Sequence, residues 1–488
     1  MELLKDGDIE IISDGVGDIL EKIGFFCENK EIIKALESAG ALADAQKEWT
    51  VKLPRAMIKR FVETLRQEDK SGWGSKLKGG NEDVIYSGYH PYTPSSGFKA
   101  PPLPYLFHNL SSFYYDDERG ERRPGNSADF ITLIRLADMV HPEQGAGHAL
   151  NLREVPPPVE PLEAAKLLIQ YSHYPRGVYI HDVRQIDYVR EIQSAAGIDD
   201  PYFPWLANIC CNSPLKIDRV VAERLIYMIR SGLYPIKVAA MPVAGVNMPV
   251  TVGGAVALMA AEFLMVWLIA RVMGSAMPLV GMPITATMDM TSGAVNFTAF
   301  DAAARRFAVC EFIRKWTGVQ LSPGPGEWTP TKTPGLYCTL EKAYFAMMAA
   351  AFTGHHPEIG VGHIDAGLSI SPAQYLLDYD FTKGLRFLEP MDISRASLGL
   401  EALQDVGFGF KDNFLAHEHT ISHMRSALWF PLCFSRNGYS PEIEKTALQE
   451  ARKRVQDLVA RHQAPEKGKD RLDQIDRIIQ RAKTELCN

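Results

Sequence analysis

Between Ser127 and Leu388 the spacing of apolar residues switches back and forth between two periods. "SADFITLIRLADMV" places them three and four apart, which predicts a helix with Ser127 as its N-cap. Short apolar runs then alternate with longer stretches at helical spacing. The runs "GHALNLRE", "GVYIHDV", "FPWLANICC", "YPIKVAAMPVAG", "MPLVGMPITATMDM", "VQLSPGPG" and "EIGVGHIDAG" predict strands. Each leads into a helix, from "EPLEAAKLLIQYSHY" after the first to "SPAQYLLDYDFTKGLRFL" after the last. With "PYLFH" as the strand ahead of the Ser127 helix, there are eight strand–helix units over about 300 residues. "NLSSFYYDDERGERRP" inserts a hairpin that turns at "DERG". The α/β pattern and its length predict a (β/α)8 TIM barrel. A doubly wound open sheet is the alternative, but it wants a Gly-rich phosphate loop after its first strand, and the chain has neither G-x-G-x-x-G nor a Walker sequence.

The flanks have a different character. The first eighty residues read as helices, among them "NKEIIKALESAG", which ends on Gly, and "LPRAMIKRFVETLRQ", which opens on Pro. Ser71 to Pro104 is rich in Gly, Ser and Pro and reads as an irregular arm. After Ser440, "PEIEKTALQEARKRVQDLVARHQ" and "DRLDQIDRIIQRAKTEL" read as two charged amphipathic helices, which would cover the barrel or a neighbouring subunit. The expected organisation is an N-terminal helical region and arm (1–104), a barrel domain (105–436) and a C-terminal helical tail (437–488), with the tail helices predicting a homodimer.

One stretch changes the picture if taken alone. From Met248 to Met288 the only charges are Glu262 and Arg271, a run long enough to span a membrane. Glu262 sits in its middle, "GSAMP" divides it, and no second such run exists, so a buried helix followed by a buried strand is the reading. The net charge of −7 offers no basic field for nucleic acid. The acidic N-terminus lacks a signal-peptide pattern. Seven scattered cysteines, without C-x-x-C, suit reduced thiols in a cytoplasm.

Several segments in order, from about Gly15 to about Arg436, resemble the trimethylamine methyltransferase (MttB-like) family. They include "DDERGERRPGNSADFITLIRLAD", "MPVAGVNMPVTVGGAVALMAAEFL", "TKTPGLYCTLEKA", "GHIDAGLSIS" and "FLAHEHTISHMRSALWFPLCF". The resemblance implies a TIM barrel that moves a methyl group from a methylated amine to the cobalt of a corrinoid carried by a separate small protein. One branch of the family carries pyrrolysine in a barrel loop. Here the resemblance places Tyr337 at or next to that position, which implies the other branch, whose members include enzymes acting on quaternary amines such as glycine betaine. The D-x-H-x-x-G sequence of corrinoid carriers is missing, so the resemblance implies that the corrinoid (cobalamin) comes with a partner protein and is not held stably by this chain. An enzyme of the same fold for another methylated compound, and a protein that only binds amines or a corrinoid partner, remain open.

A quaternary ammonium leaves as a neutral amine and needs no general acid. It needs positioning, and aromatic faces for a diffuse, greasy cation, each worth about 0.5–2 kcal/mol. In a barrel these come from strand ends, which nominates Tyr179, Phe203, Trp205, Phe297, Trp328 and Tyr337 as substrate-binding residues, each of which could equally be core or rim packing. Glu262, which the resemblance matches to a family glutamate, Asp289, His363 and Asp365 are the candidates for catalytic polar groups, against helix capping and turns. A betaine carboxylate would want a cation, and Lys332, Lys237, Arg305 and Arg306 are available.

His417, Glu418, His419 and His423 raise the question of a metal. A zincin needs H-E-x-x-H, yet four residues after His417 comes Ile421, and His419 and His423 enclose no glutamate. The expectation is a hydrogen-bonded structural corner near the barrel mouth, with no metal.

Overall fold

In a computed structural model, the protein is described over residues 2–44, 46–70, 110–206, 208–324, 326, 328–354, 356–389, 391, 393–409, 412–438 and 440–487. The predicted strand "PYLFH" and the whole predicted arm lie outside these residues, as does the boundary at 104.

The N-terminal part departs from an all-helical expectation. Helices α1 (Asp6–Asp18), α2 (Lys30–Ser38) and α3 (Arg55–Lys70) frame a small sheet of β1 (Phe25–Cys27), β2 (Leu42–Ala43) and β3 (Thr50–Lys52), paired antiparallel in the order β2-β3-β1. Strands of two and three residues are too short to carry a period. Gly24 enters β1 at φ +77°, where a side chain would run into the carbonyl of Val51.

Beyond it, β4 (Phe113–Asp116) and β5 (Glu121–Pro124) form the hairpin expected at "DERG". Helix α4 (Ser127–Val140) opens one residue earlier than expected, because Asn126 takes the cap: its side chain accepts from the Asp129 amide at 3.0 Å, and Asp129 accepts from the Asn126 amide at 3.2 Å. Next come α5 (Glu160–Tyr171), β6 (Val178–Tyr179), α6 (Ile186–Ala196), β7 (Pro204–Trp205), β8 (Ile209–Cys211), β9 (Lys216–Ile217) and α7 (Arg219–Ser231). They are followed by β10 (Ile236–Ala240), β11 (Val243–Ala244), α8 (Val252–Val272), β12 (Leu279–Pro283), β13 (Ala286–Met288), β14 (Val295–Asn296), α9 (Phe300–Thr317) and α10 (Leu336–Thr353). Then come β15 (His363–Ile364), β16 (Ser369–Ile370) and α11 (Pro372–Leu385). The whole is a mixed α/β fold of several small sheets.

Parallel contacts link these units in succession. Ser111 bridges Leu150, and Ala146 bridges Pro175. Val178 and Tyr179 pair with Pro204 and Trp205. Strand β10 pairs with β8 on one side and β12 on the other. The Ser322 amide donates to the Gly281 carbonyl at 3.1 Å, and the Asp365 amide to that of Thr331 at 2.7 Å. Finally, β16 pairs in parallel with β4. "GHALNLRE" and "VQLSPGPG" take part through single bridges and bonds instead of forming ladders.

Helix α8 lies at the centre of the core. It is apolar on all sides, so no solvated face exists and it must be enclosed. By length and composition it would cross a membrane, yet 83% of its apolar window is buried inside the protein, among α1, α2, α9, β10 and β12. Arg271, in its last turn, pairs with Glu68. All seven cysteines are free thiols.

After α11 the chain makes an excursion with the short helices α12 (Leu400–Val406) and α13 (Glu418–Ala427), then returns into α14 (Pro441–Arg461) and α15 (Lys469–Leu486). The last two helices lie on their own chain, α14 against α11 and α4 and α15 against α6 and α5. The turn between them is fastened at Asp138, which accepts from Ser172 Oγ (2.7 Å), the His173 amide (2.7 Å) and His173 Nδ1 (2.9 Å), with His462 Nε2 at 3.4 Å. A single apolar cluster runs from Leu4 to Ala482.

Candidate active site

Strand β10 sorts its side chains by alternation. Ile236, Val238 and Ala240 enter the main core, while Ala239 joins a separate cluster with Met282, Ile284, Ala286, Phe297 and Trp328, flanked by Cys210 and Ala366. This second cluster gathers the C-terminal ends of β8, β10 and β12 on the face turned away from the helices. Within it, the Phe297 and Trp328 rings are 5.9 Å apart at 58°. Half-buried Lys237 shares the alternation of Ala239.

Tyr179 and Trp205 are direct cross-strand partners, so their rings leave the β6–β7 pair on one side. Burial holds the Tyr179 hydroxyl above its ordinary range, with Cys210 acting in the same direction. His181 lies 5.1 Å from its ring, and the Arg224 guanidinium lies over that ring at 6.0 Å. The strand is steadied from behind: the Tyr179 amide donates to His148 Nδ1 (3.3 Å), and His148 Nε2 meets buried Glu160 at 3.0 Å. Burial alone would raise Glu160, but His148 and His181 outweigh it and hold the carboxyl at about 2. His181 also lines a cavity of about 660 Å³ with Asp182, Arg184, Arg219 and Arg224.

The segment after Trp328 is bound tightly. Thr329 and Thr331 both donate to the Glu341 carboxylate, and the Thr329 and Thr331 carbonyls accept from the Ala366 and Asp365 amides, both at 2.7 Å. Asp365 and Ala366 stand at φ +52° and +57°, a left-handed pair without glycine, of the kind that persists where the surroundings over-determine it. The Asp365 carboxylate pairs with Arg122 of the hairpin, whose guanidinium lies 4.5 Å over Phe113. His363 is buried, with Nδ1 3.1 Å from Ser111 Oγ.

Beneath this lies a network that the sequence reading missed. Lys342 and Asp378 form an ion pair with no exposed surface. Asp378 also accepts from Thr339 (2.9 Å), Gln374 (2.7 Å) and the Gly362 amide (2.9 Å), and Gln374 accepts from the Gly335 amide at 2.8 Å. It therefore fixes both the 335 turn and the strand leading to His363. The available signal was Lys342 in the mostly apolar α10 and Asp378 in α11.

Other nominated residues fall elsewhere. Phe203 packs in the main core. Tyr337 is 62% exposed in the first turn of α10, and Lys332 is exposed nearby. Asp289 closes the β13–β14 turn, accepting from Ser292 (amide 2.6 Å, hydroxyl 2.7 Å) and the Thr291 amide (3.1 Å), and these bonds hold its carboxyl low. Arg305 is engaged by the Val250 carbonyl and Asp301, and Arg306 by the carbonyls of Pro323, Thr285 and Phe297.

Glu262 is fully buried, with its oxygens 2.9 Å from Ser213 Oγ and 2.9 Å from the Leu215 amide. Burial raises its carboxyl to about 7, against the pull of those two bonds. The folded state thus holds a proton that the unfolded chain releases near 4.5. The associated stability is complete below that pH and is lost as pH rises through about 7. Glu262→Gln cannot ionise and is expected to flatten this slope, gaining on the order of 2–3 kcal/mol over the parent protein between pH 5 and pH 8. Urea midpoints at four pH values check this, and parallel curves for the two proteins would contradict it.

The histidine run makes local hydrogen bonds on the excursion after α11. His417 caps α13 through Nδ1 (3.1 Å from the His419 amide) and meets Asp405 through Nε2 at 3.2 Å. His419 and His423 stack at 4.4 Å. All lie on the excursion after α11, where α13 buries none of its side chains. Among the described residues, the grouping whose potential ligand atoms converge within 4.8 Å is Asp138, His173 and His462.

A family model described as trimethylamine methyltransferase (MTTB) matches residues 105–487. The trimethylamine methyltransferase MttB of Desulfitobacterium hafniense is 20% identical over 435 residues, which cover 86% of this chain and 81% of that protein. The trimethylamine methyltransferase MttB2 of Methanosarcina mazei is 25% identical over 311 residues, 61% of this chain and 60% of that protein.

Proposed function

Because the chain belongs to the trimethylamine methyltransferase family and is therefore a methyltransferase, we propose that it takes a methyl group from a quaternary amine, glycine betaine or a related betaine, and passes it to the corrinoid of a separate protein. The carrying observation is the paired Phe297 and Trp328 rings in an apolar cluster at the strand ends, with Tyr179 and Trp205 as a second pair in register. Ring faces of this kind suit a trimethylammonium head, at about 0.5–2 kcal/mol for each contact. The succession of parallel pairings that returns to β4 supports a (β/α)8 barrel with this cluster at its mouth, framed by residues 1–104 and 437–488.

In this reading Lys237, half-buried and on the same alternation of β10 as Ala239, faces the substrate carboxylate. Asp365, held by Arg122, and His363 orient the wall that carries Trp328, and Glu262 and Asp289 hold their loops in place. No proton need move, because the amine departs uncharged. When its protein docks, the corrinoid supplies a Co(I) nucleophile for in-line displacement at the bound methyl carbon. Exposed Met241, Val246, Val250, Met290, Phe300 and Tyr337 fringe the strand ends and fit such a docking surface. Tyr337 there lies at or next to the position that carries pyrrolysine in the other branch. The free thiols and the buried α8 support a cytoplasmic enzyme.

The test mixes the protein, a Co(I) corrinoid protein and a panel of methylated amines, and follows the cobalt spectrum. A betaine-dependent loss of the Co(I) signal is expected. Thermal stabilisation by amines without any spectral change would favour a protein that only binds them. Lys237→Met is expected to raise KM at least about tenfold for betaines and to leave choline-like amines nearly unchanged. An equal effect on both would remove Lys237 from the carboxylate.

A further inference from the structure

Most of the surface is ordinary, but the excursion after α11 is not. Among the described residues, thirty large apolar side chains are exposed, and fourteen of them fall between Phe387 and Leu432. Met391 is 79% exposed, Leu415 85% and Ile421 63%. Helix α13 carries Ile421 and Met424 three residues apart, the spacing of a buried stripe, and Leu428 follows at its C-terminus, yet all three are exposed. At roughly 150–250 Å² for a large side chain, the exposed fractions amount to on the order of 1,000 Å² or more. The largest apolar patch on a typical monomer is about 300–600 Å². Each partner in a standard stable interface contributes about 800 Å².

The position of the segment decides what covers it. Helix α11 ends against the start of the last strand unit, since the His356 ring lies between the carbonyls of Pro357 (2.8 Å) and Leu385 (2.9 Å). The returning chain packs on the same end of α11. Trp429 lies against Gly384, and the amides of Leu432 and Cys433, both 2.8 Å, donate to Asp380. Both ends of the excursion therefore sit where strands begin, opposite the Phe297–Trp328 cluster where they end. A carrier protein that serves the mouth does not reach it.

We infer that the 387–432 face is a self-complementary docking surface for a second copy of this chain, with the α13 stripe at its centre. The exclusion of the carrier rests on the proposed mouth, whereas the self-association does not. The tail helices are spared for this role because their apolar sides are already used within the chain.

Sedimentation velocity on the full chain from about 0.1 to 50 µM tests this. The parent protein is expected to be dimeric in the low micromolar range. Ile421→Asp combined with Leu428→Asp is expected to raise the dimer dissociation constant at least about 30-fold, with unchanged circular dichroism. Ile11→Asp, at an exposed position on α1, serves as a control and should leave association unchanged. A parent protein that is monomeric at 50 µM, or a double variant that associates like the parent, overturns the inference. So does a double variant that stays dimeric but no longer binds the corrinoid protein. The cobalt assay reports separately on the proposed chemistry.

Discussion

Trp328→Leu is expected to lower kcat/KM for a quaternary amine by about 30- to 100-fold. Leucine keeps an apolar body in the cluster with Phe297, Met282 and Ile284 but removes the ring face. The loss then combines a cation–π contact, worth up to about 2 kcal/mol when desolvated, with imperfect filling of the space. Each 1.36 kcal/mol is about tenfold in rate, which sets the range. Trp328 is 6% exposed, so a packing role alone would also impair the protein. The two causes separate with an uncharged ligand in which carbon replaces the ammonium nitrogen. Its inhibition constant should move little in Trp328→Leu, while the charged substrate weakens, and Trp328→Phe should restore most of the activity. Equal losses for both ligands would assign Trp328 to packing.

The largest effect on stability is expected at Asp378. Asp378→Ala leaves the Lys342 ammonium without exposed surface and without its carboxylate, and strands donors from Thr339, Gln374 and Gly362. Breaking a buried pair from one side costs about 3–5 kcal/mol. Urea unfolding should show this as a lower midpoint. Lys342→Met together with Asp378→Leu should recover a large part, because replacing both charges with apolar groups leaves no bare charge. If the double variant is no better than Asp378→Ala, the network matters through its hydrogen bonds to the 335 and 362 turns and not through the charge pair.

The helical part of the fold was legible because its signals are long. Helices α6, α7, α9 and α10 each stop on a left-handed glycine, Gly197, Gly232, Gly318 and Gly354. The strands were legible only as positions. Two-residue ladders such as β6 and β15 carry no period, and what fixes them is the neighbouring chain, as Trp205 fixes Tyr179. Ser127 lost its cap role to Asn126 because a capping box needs a reciprocal partner, and Asp129 is three residues from Asn126. Of the nominated aromatics, Phe297 and Trp328 come together, while Phe203, one strand position from Pro204, turns into the helical core. Glu262 could be named as a carboxylate that needs partners, but not which loop would supply them, since Ser213 and Leu215 lie some fifty residues away along the chain. Long-range pairing of that kind, like Lys342 with Asp378, leaves no mark in local spacing.

The apolar cluster that contains Leu4 also contains Ile475, Ile478, Ile479 and Ala482. A chain leaving the ribosome exposes its first helices long before the last one exists. Val16, Leu20 and Ile32 find α8 only after more than two hundred further residues have been made, and the α6 and α5 surfaces wait longer still for α15. The nascent polypeptide must therefore remain shielded from aggregation until its distant partners are made, and a chain cut short before α15 would be open along one side rather than merely shorter.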